Sequence, residues 1–385
     1  MIAKVTDSVY RITEEDCIDL FESLYPVPHG VTYNNYVIMD EKVAILDSMD
    51  TAVTREWLAD LKEVMGDRKA DYIVVHHMEP DHSANIFRLM EMYPDAKVVV
   101  NKMIARMLGN YFGESFPERH IVVEEGSVLD LGEHKLTFVM APNVHWPEVM
   151  LSYDSKDRIL FSADGFGRFG PIDEDYEWED EARRYYINIV GRFGEYVMGA
   201  LEKAAGLDIS HICPLHGPVL SKDLGKYLGL YKTWASYEPE TKGVFIAYTS
   251  VYGHTAHAAM LLAKELEERG VDVEVYDLAR NHVSYAIADA FRYDRMVLMT
   301  TTYENGIFPI MEHFVREIGR KNLKNRKVGV IDNGSWSPVA GKQIKELLAQ
   351  MENMTIVEPS FSIKSAMKAE DEARIAELAD ALSKA

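Results

Sequence analysis

Four metal-binding donors fall within six residues of this chain, His77-Met78-Glu79-Pro80-Asp81-His82. The apolar run Tyr72-Ile73-Val74-Val75 precedes them, and a helical pattern that Ser83 can cap follows. Imidazoles and carboxylates are thus gathered in a loop at the carboxyl end of a strand. For any one histidine a solvated loop position is the ordinary explanation, but four donors in a proline-stiffened loop point to a built site. Three later fragments share this character. His145 lies in Asn143-Val144-His145-Trp146-Pro147-Glu148, Asp164 in Ser162-Ala163-Asp164-Gly165-Phe166-Gly167, and His216 in Cys213-Pro214-Leu215-His216-Gly217. Each follows an apolar stretch and adjoins Gly or Pro. A nitrogen and oxygen donor set of this kind suits zinc or iron.

Later in the chain a different chemistry is laid out. Tyr248-Thr249-Ser250-Val251-Tyr252-Gly253-His254-Thr255 ends a strand pattern and opens a helix. Hydroxyls and free backbone N–H groups at a helix N-terminus suit a phosphate, although alone such residues are usually caps. Two further loops add weight: Thr301-Thr302-Tyr303-Glu304-Asn305-Gly306 and Asn333-Gly334-Ser335-Trp336-Ser337. In a doubly wound sheet of flavodoxin-like order these loops converge at the switch point, where FMN sits. No G-x-G-x-x-G follows the first strand, which argues for a mononucleotide over NAD or FAD. Trp336 is the expected stacking side chain, and Gly306 and Gly334 would let backbone approach the ring.

These loops require two frameworks. Strand patterns at 244–248, 272–276, 296–300, 327–331 and 355–358 alternate with helical patterns near 255–269, 309–320, 338–351 and 368–383. That alternation specifies a five-stranded parallel sheet. Before it, 32–38 and 43–47 form a predicted hairpin about Asp40-Glu41-Lys42, with strands at 71–75, 97–100, 135–140, 148–153 and 158–162. Helical patterns at 53–65, 83–92, 102–112 and 180–204 interrupt them, giving a mixed α/β half with two helix-covered sheets. The polar, proline-containing stretch 237–243 divides the halves, which predicts domains at 1–240 and 243–385.

The donor loop resembles the metallo-β-lactamase superfamily and, more narrowly, the flavodiiron proteins. The superfamily's zinc loop reads H-x-H-x-D-H, whereas Glu79 here occupies the second ligand position, as in the flavodiiron family. A carboxylate there adds negative charge and harder oxygen donation, which favours a redox-active iron pair over zinc. The resemblance covers essentially the whole chain. It implies an N-terminal αββα sandwich and a C-terminal flavodoxin-like domain, with two irons and FMN as cofactors. It further implies that His77, Glu79 and His145 bind one iron, that Asp81, His82 and His216 bind the other, and that Asp164 bridges them. The resemblance also implies that the position of His82 does not ligate iron in every relative. FMN would be held by Ser250 to Thr255, by Thr302, Tyr303, Asn305 and Gly306, and by Asn333 to Trp336. Tyr25, His29 and Trp146 are candidates for lining the iron pocket, a role that packing would explain equally well. The implied reaction is reduction of O2 to water or of NO to N2O. The electrons would come from a separate donor: rubredoxin, a reduced deazaflavin or a flavin reductase. A head-to-tail homodimer, or a dimer of such dimers, is the implied assembly. The alternative is a zinc hydrolase with a flavodoxin-like docking domain, for which the three flavin loops would have no use.

Composition bounds the rest. Lys+Arg 41 against Asp+Glu 62 gives a formal charge of -21, which disfavours nucleic acid and anionic membranes. Charge is mixed through the first residues and no apolar run approaches a membrane span, so a cytoplasmic protein of two domains is expected. Cys17 and Cys213 are the only cysteines, too few for a rubredoxin or iron–sulfur site. His76 is expected to be structural, His211 to be a hydrogen-bonded core residue, and His120, His134, His282 and His313 to be surface or capping residues.

Overall fold

The segment Val31–Met39 is buried along almost its whole length, because a second layer covers each of its faces. It pairs antiparallel with Val9–Asp16 on one side and with Val43–Leu46 on the other. Together with Ile2–Lys4 and the parallel strands Tyr72–Val74, Lys97–Val100 and His120–Val122, these form a seven-stranded sheet. A five-stranded sheet runs Val128–Asp130, Lys135–Met140, Met150–Asp154, Ile159–Phe161, His211–Cys213, antiparallel except for its last pair. The two sheets meet through Tyr36, whose ring lies 5.3 Å from Phe161, and through His76 Nε2, 2.8 Å from Ser152 Oγ. Helices Thr54–Met65, Ile86–Met92 and Lys102–Phe112 pack on the seven-stranded sheet. The architecture is the expected metallo-β-lactamase-like α/β fold.

In this computed structural model residues 1–113, 117–173 and 176–384 are described. The chain forms two compact units: residues 1–186 with 195–232, and residues 187–194 with 233–385. The second unit holds five parallel strands in the order Val273–Asp277, Thr241–Tyr248, Tyr293–Tyr303, Arg326–Asn333, Met354–Ile363. Numbered within the unit this is 2-1-3-4-5, the flavodoxin-like order. Its core includes Ile246, Leu262, Val297, Met299, Ile331 and Leu378, all with no exposed surface.

Several elements depart from the sequence expectation. Val9–Asp16 is a strand that the pattern did not suggest, since Arg11, Thr13, Glu14 and Glu15 hide its alternation. The helical pattern at 180–204 is broken: Trp178–Tyr185 and Gly194–Ala204 are helices, with tighter and wider turns between them. Gly194 explains part of this, because a Cβ there would lie 2.3 Å from the Ala235 carbonyl oxygen. Helix Val283–Arg292 was missed, although 283, 286, 287, 290 and 291 carry apolar residues at helical spacing. His134 is not a surface residue. It has no exposed surface, and its Nδ1 lies 3.0 Å from Asp154 Oδ2 and its Nε2 2.7 Å from Ser8 Oγ. His211 is half-buried, with Nδ1 2.9 Å from Ser210 Oγ, and His282 caps helix Val283–Arg292.

Candidate metal centre and flavin site

The four donor loops follow strands Tyr72–Val74, Lys135–Met140, Ile159–Phe161 and His211–Cys213 and come together at the strands' carboxyl ends. Sharp turns aim the side chains: Asn143 and Ala163 have φ of 63° and 48°. His76, by contrast, points into the sheet contact, with Nδ1 2.6 Å from Asp47 Oδ2.

Two donor groups result. His77, Glu79, His145 and Asp164 offer atoms that all lie within 4.8 Å of one another, and Asp81, His82 and His216 do the same. The Asp164 carboxylate spans them. Its Oδ2 is 3.0 Å from His145 Nε2 and 3.4 Å from His77 Nε2, while its Oδ1 is 3.1 Å from His82 Nε2 and 3.8 Å from His216 Nε2. His82 therefore faces the centre with the other six.

The outer nitrogens are held from behind. Glu148 Oε1 lies 2.8 Å from His77 Nδ1 and accepts from the Met78 N–H at 2.9 Å. His216 Nδ1 donates to the Thr32 carbonyl at 2.7 Å. Both contacts leave Nε2 free to face the centre. Aromatic rings wall the second group: Phe21, Tyr185 and Tyr33 lie 5.5, 5.4 and 5.7 Å from the His216 ring. Trp146 stands edge-on to His77 at 5.3 Å. Tyr25 is buried against Phe169 at 6.4 Å, and exposed His29 meets Tyr176 at 5.6 Å. Glu148 stands in the quoted His145 fragment, but nothing in its spacing marked it as a support. Thr32, Tyr33 and Tyr185 come from strand and helix positions that look like ordinary core.

The electrostatics fit a cation. Burial opposes charge on His145, yet hydrogen bonding to Asp164 and Glu79 carries it up to about 9. Burial likewise opposes charge on Asp164, but His77 and His82 hold it well below the usual carboxylate range. Without a metal the cluster is thus held by protons that a metal would displace. Both Asp81 oxygens and His82 Nδ1 are buried with no hydrogen-bond partner, which is costly in a protein interior. Six nitrogen and oxygen donors around a shared carboxylate match what two iron ions require.

In the second unit a cavity of about 520 Å³ opens at the carboxyl ends of the parallel strands. Ser250, Val251, Tyr252, His254 and Thr255 line it from the first loop, Thr302, Tyr303 and Asn305 from the second, and Asn333 to Trp336 from the third. Gly253 and Gly306 are not part of the lining. Gly253, at φ 90°, instead turns the chain into helix His254–Glu267, and Gly306 closes the hairpin after Glu304 and Asn305, at φ 50° and 58°. Thr301, Glu304, Ser337 and Ser365 also line the cavity. Ser365 follows the fifth strand, where no phosphate-binding pattern announced it. Tyr252 and Trp336 are 90% and 80% exposed, so their rings are open to a planar ligand. Cavity size, hydroxyl lining and open rings all fit a flavin mononucleotide.

Comparison with known proteins agrees with a metallo-β-lactamase-like domain followed by a flavodoxin-like one. Residues 31–217 match the ODP family beta-lactamase, and residues 246–377 match flavodoxin. A nitric oxide reductase of Moorella thermoacetica is 30% identical over 390 residues, covering 97% of this chain and 96% of that protein. The rubredoxin oxygen:oxidoreductase of Desulfovibrio gigas superposes with a TM-score of 0.91 at 25% identity, covering 100% of this chain and 98% of that one. A mutant flavo di-iron protein of Thermotoga maritima gives 0.90 at 26% identity, again with 100% and 98% coverage. These matches do not favour the hydrolase alternative. Among the described residues no helix is long and apolar enough to cross a membrane. With both domains matched in order and a full-length relative at this identity, the chain belongs to the flavodiiron protein family of oxidoreductases.

Proposed function

We propose that this chain reduces nitric oxide to nitrous oxide, and dioxygen to water, using electrons passed from FMN to a pair of non-haem irons. The observation that carries the reading is Asp164, whose two oxygens face two separate donor groups. Names of relatives support both gases, since one is a nitric oxide reductase and another an oxygen oxidoreductase. His77, Glu79 and His145 would hold one iron and Asp81, His82 and His216 the other, with Asp164 shared between the two groups. Ser250, Val251, Tyr252, His254 and Thr255 would hold the FMN phosphate, and Thr302, Tyr303, Asn305 and Asn333 to Trp336 the ring, with Trp336 as the stacking side chain. Residues 1–240 and 243–385 act as the iron and flavin domains.

When bound, the flavin supplies reversible electron storage and the iron pair supplies electrons and open coordination positions for the gas. The protein supplies placement and exclusion. Asp164 fixes the spacing of the two positions, and Glu148 and the Thr32 carbonyl fix two imidazoles so that Nε2 points inward. Phe21, Tyr33, Tyr185 and Trp146 limit water around the centre, with Tyr25 and His29 at its approach. The electron donor is a separate protein or reduced cofactor, with rubredoxin, a reduced deazaflavin and a flavin reductase as candidates, in the cytoplasm. A head-to-tail dimer brings the FMN of one copy to the irons of the other.

Metal and flavin analysis followed by anaerobic assay tests this reading. Two irons and one FMN per chain are expected, with two NO, two electrons and two protons consumed per N2O and water formed. Zinc content without flavin absorption would overturn it.

A further inference from the structure

The two donor groups look equivalent at the first contact, for each offers two imidazoles and one carboxylate of its own and shares Asp164. They differ in what stands behind the imidazoles. His77 has a buried carboxylate at its Nδ1, Glu148, which is only 1% exposed. His216 has a neutral backbone carbonyl there, from Thr32. His82 Nδ1 is buried with no hydrogen-bond partner.

We infer that Glu148 makes the two metal positions unequal, so that the position formed by His77, Glu79 and His145 fills first and empties last. This rests on the two-metal reading above. Two physical effects act together. A carboxylate behind an imidazole fixes its tautomer and raises the basicity of the nitrogen that faces the metal. Its negative charge, held in a dry interior, also favours a cation on that side more than a neutral carbonyl does. Glu148 is rigidly placed for this role. One of its oxygens accepts from the Met78 N–H, in the donor loop itself. Its own carbonyl accepts from Asn101 Nδ2 at 2.6 Å, while Asn101 Oδ1 caps helix Lys102–Phe112 by accepting from Met103 and Ile104. A helix terminus therefore anchors the residue that anchors His77; the His82 carbonyl is also held, by Ser48, but among the described residues no hydrogen-bond acceptor stands at the His82 Nδ1.

The test uses the full chain, stripped of metal and given one equivalent of ferrous iron per chain without oxygen. Crystals then report by anomalous scattering which position is filled, and a chelator reports the release rates of the fully loaded protein. In the wild type the iron is expected at the His77 position, and release is expected in a fast and a slow phase. Glu148→Gln keeps the acceptor for both N–H groups but removes the charge. It is expected to spread one equivalent over both positions and to speed the slow phase by about tenfold. Glu148→Asp, which keeps the charge, is expected to stay near the wild-type distribution. Equal filling in the wild type, or first filling of the Asp81 side, overturns the inference while leaving the two-metal reading intact. An unchanged distribution in Glu148→Gln overturns the role of Glu148. Iron at neither position overturns the two-metal reading itself.

Discussion

His82 and His216 meet nitrogen to nitrogen, Nε2 to Nε2, at 3.0 Å, and neither ring has any exposed surface. His216 Nδ1 already donates to the Thr32 carbonyl, so a neutral His216 presents a lone pair to His82. That lone pair is met either by a His82 N–H or by a cation beside both nitrogens, and the proposed ligand set takes the cation and counts His82 among the donors. Asp164→Ala is therefore expected to lose both irons, and His82→Ala at most one. Iron analysis after gel filtration distinguishes them, and equal losses would contradict the bridging role.

Metal-free protein should carry a pH dependence that the loaded protein lacks. Burial works against charge on His145, but Asp164 and Glu79 raise it to about 9. A group raised in the fold stabilises fully below its unfolded value of about 6.5, and that contribution disappears as pH rises through about 9. The urea midpoint of the stripped protein should accordingly fall between these values. At pH 7 iron uptake should release protons, which a pH-stat measures; uptake without proton release would show that the histidines were already neutral.

Trp336 is 80% exposed, so removing it sacrifices little packing. Trp336→Ala should leave the melting temperature of the flavin-free protein within about 1 °C, since surface changes cost at most about 0.5 kcal/mol. FMN binding should weaken by roughly 2- to 10-fold, the range expected for one lost aromatic contact of about 0.5–1.5 kcal/mol. A shifted flavin potential with unchanged iron content is the expected pattern. Unaltered FMN affinity would remove Trp336 from the ring site.

Where the flavin fragment is cut should matter. Arg326 is 1% exposed and donates through Nη1 to the Tyr237 carbonyl at 2.9 Å. A fragment beginning at Lys242 lacks that acceptor, whereas one beginning at Thr233 keeps it. Because Nη1 keeps the Lys324 carbonyl at 2.9 Å, the shorter fragment should be less stable by about 0.5–1.5 kcal/mol in urea titration, the worth of one hydrogen bond. Equal stability of the two would show that the Lys324 and Asn325 carbonyls suffice for the guanidinium.

The proposed pairing of copies admits a complementation test. One chain carries His77→Ala with Asp81→Ala, and a tagged chain carries changes at Trp336 and Thr255 that abolish FMN binding. If electrons cross between copies, the isolated mixed dimer should regain about half the wild-type activity, because one intact flavin faces one intact iron pair. A well-folded mixed dimer with the expected cofactors and no activity would exclude the crossing.

Much of the protein was legible in short stretches of sequence, because the relevant signals are local. A strand that runs into His77-Met78-Glu79-Pro80-Asp81-His82 announces donors at a strand end, and 244–248 followed by hydroxyls and a helix announces a phosphate loop. The parallel sheet of the second unit followed from simple alternation of apolar strands and helices. What the sequence alone left open depends on contacts between distant residues. Asp164 divides its oxygens between two groups, Glu148 stands behind His77 across 71 positions, and Thr32 holds His216 across 184. His134 looked like a surface residue until packing set it beside Asp154 and Ser8. Residues 187–194 packed with the second unit although they lie within a helical pattern of the first half. Periodicity and spacing report which face of an element turns inward. Which oxygen meets which nitrogen is decided only when separate elements pack, and that tertiary choice makes the two metal positions different.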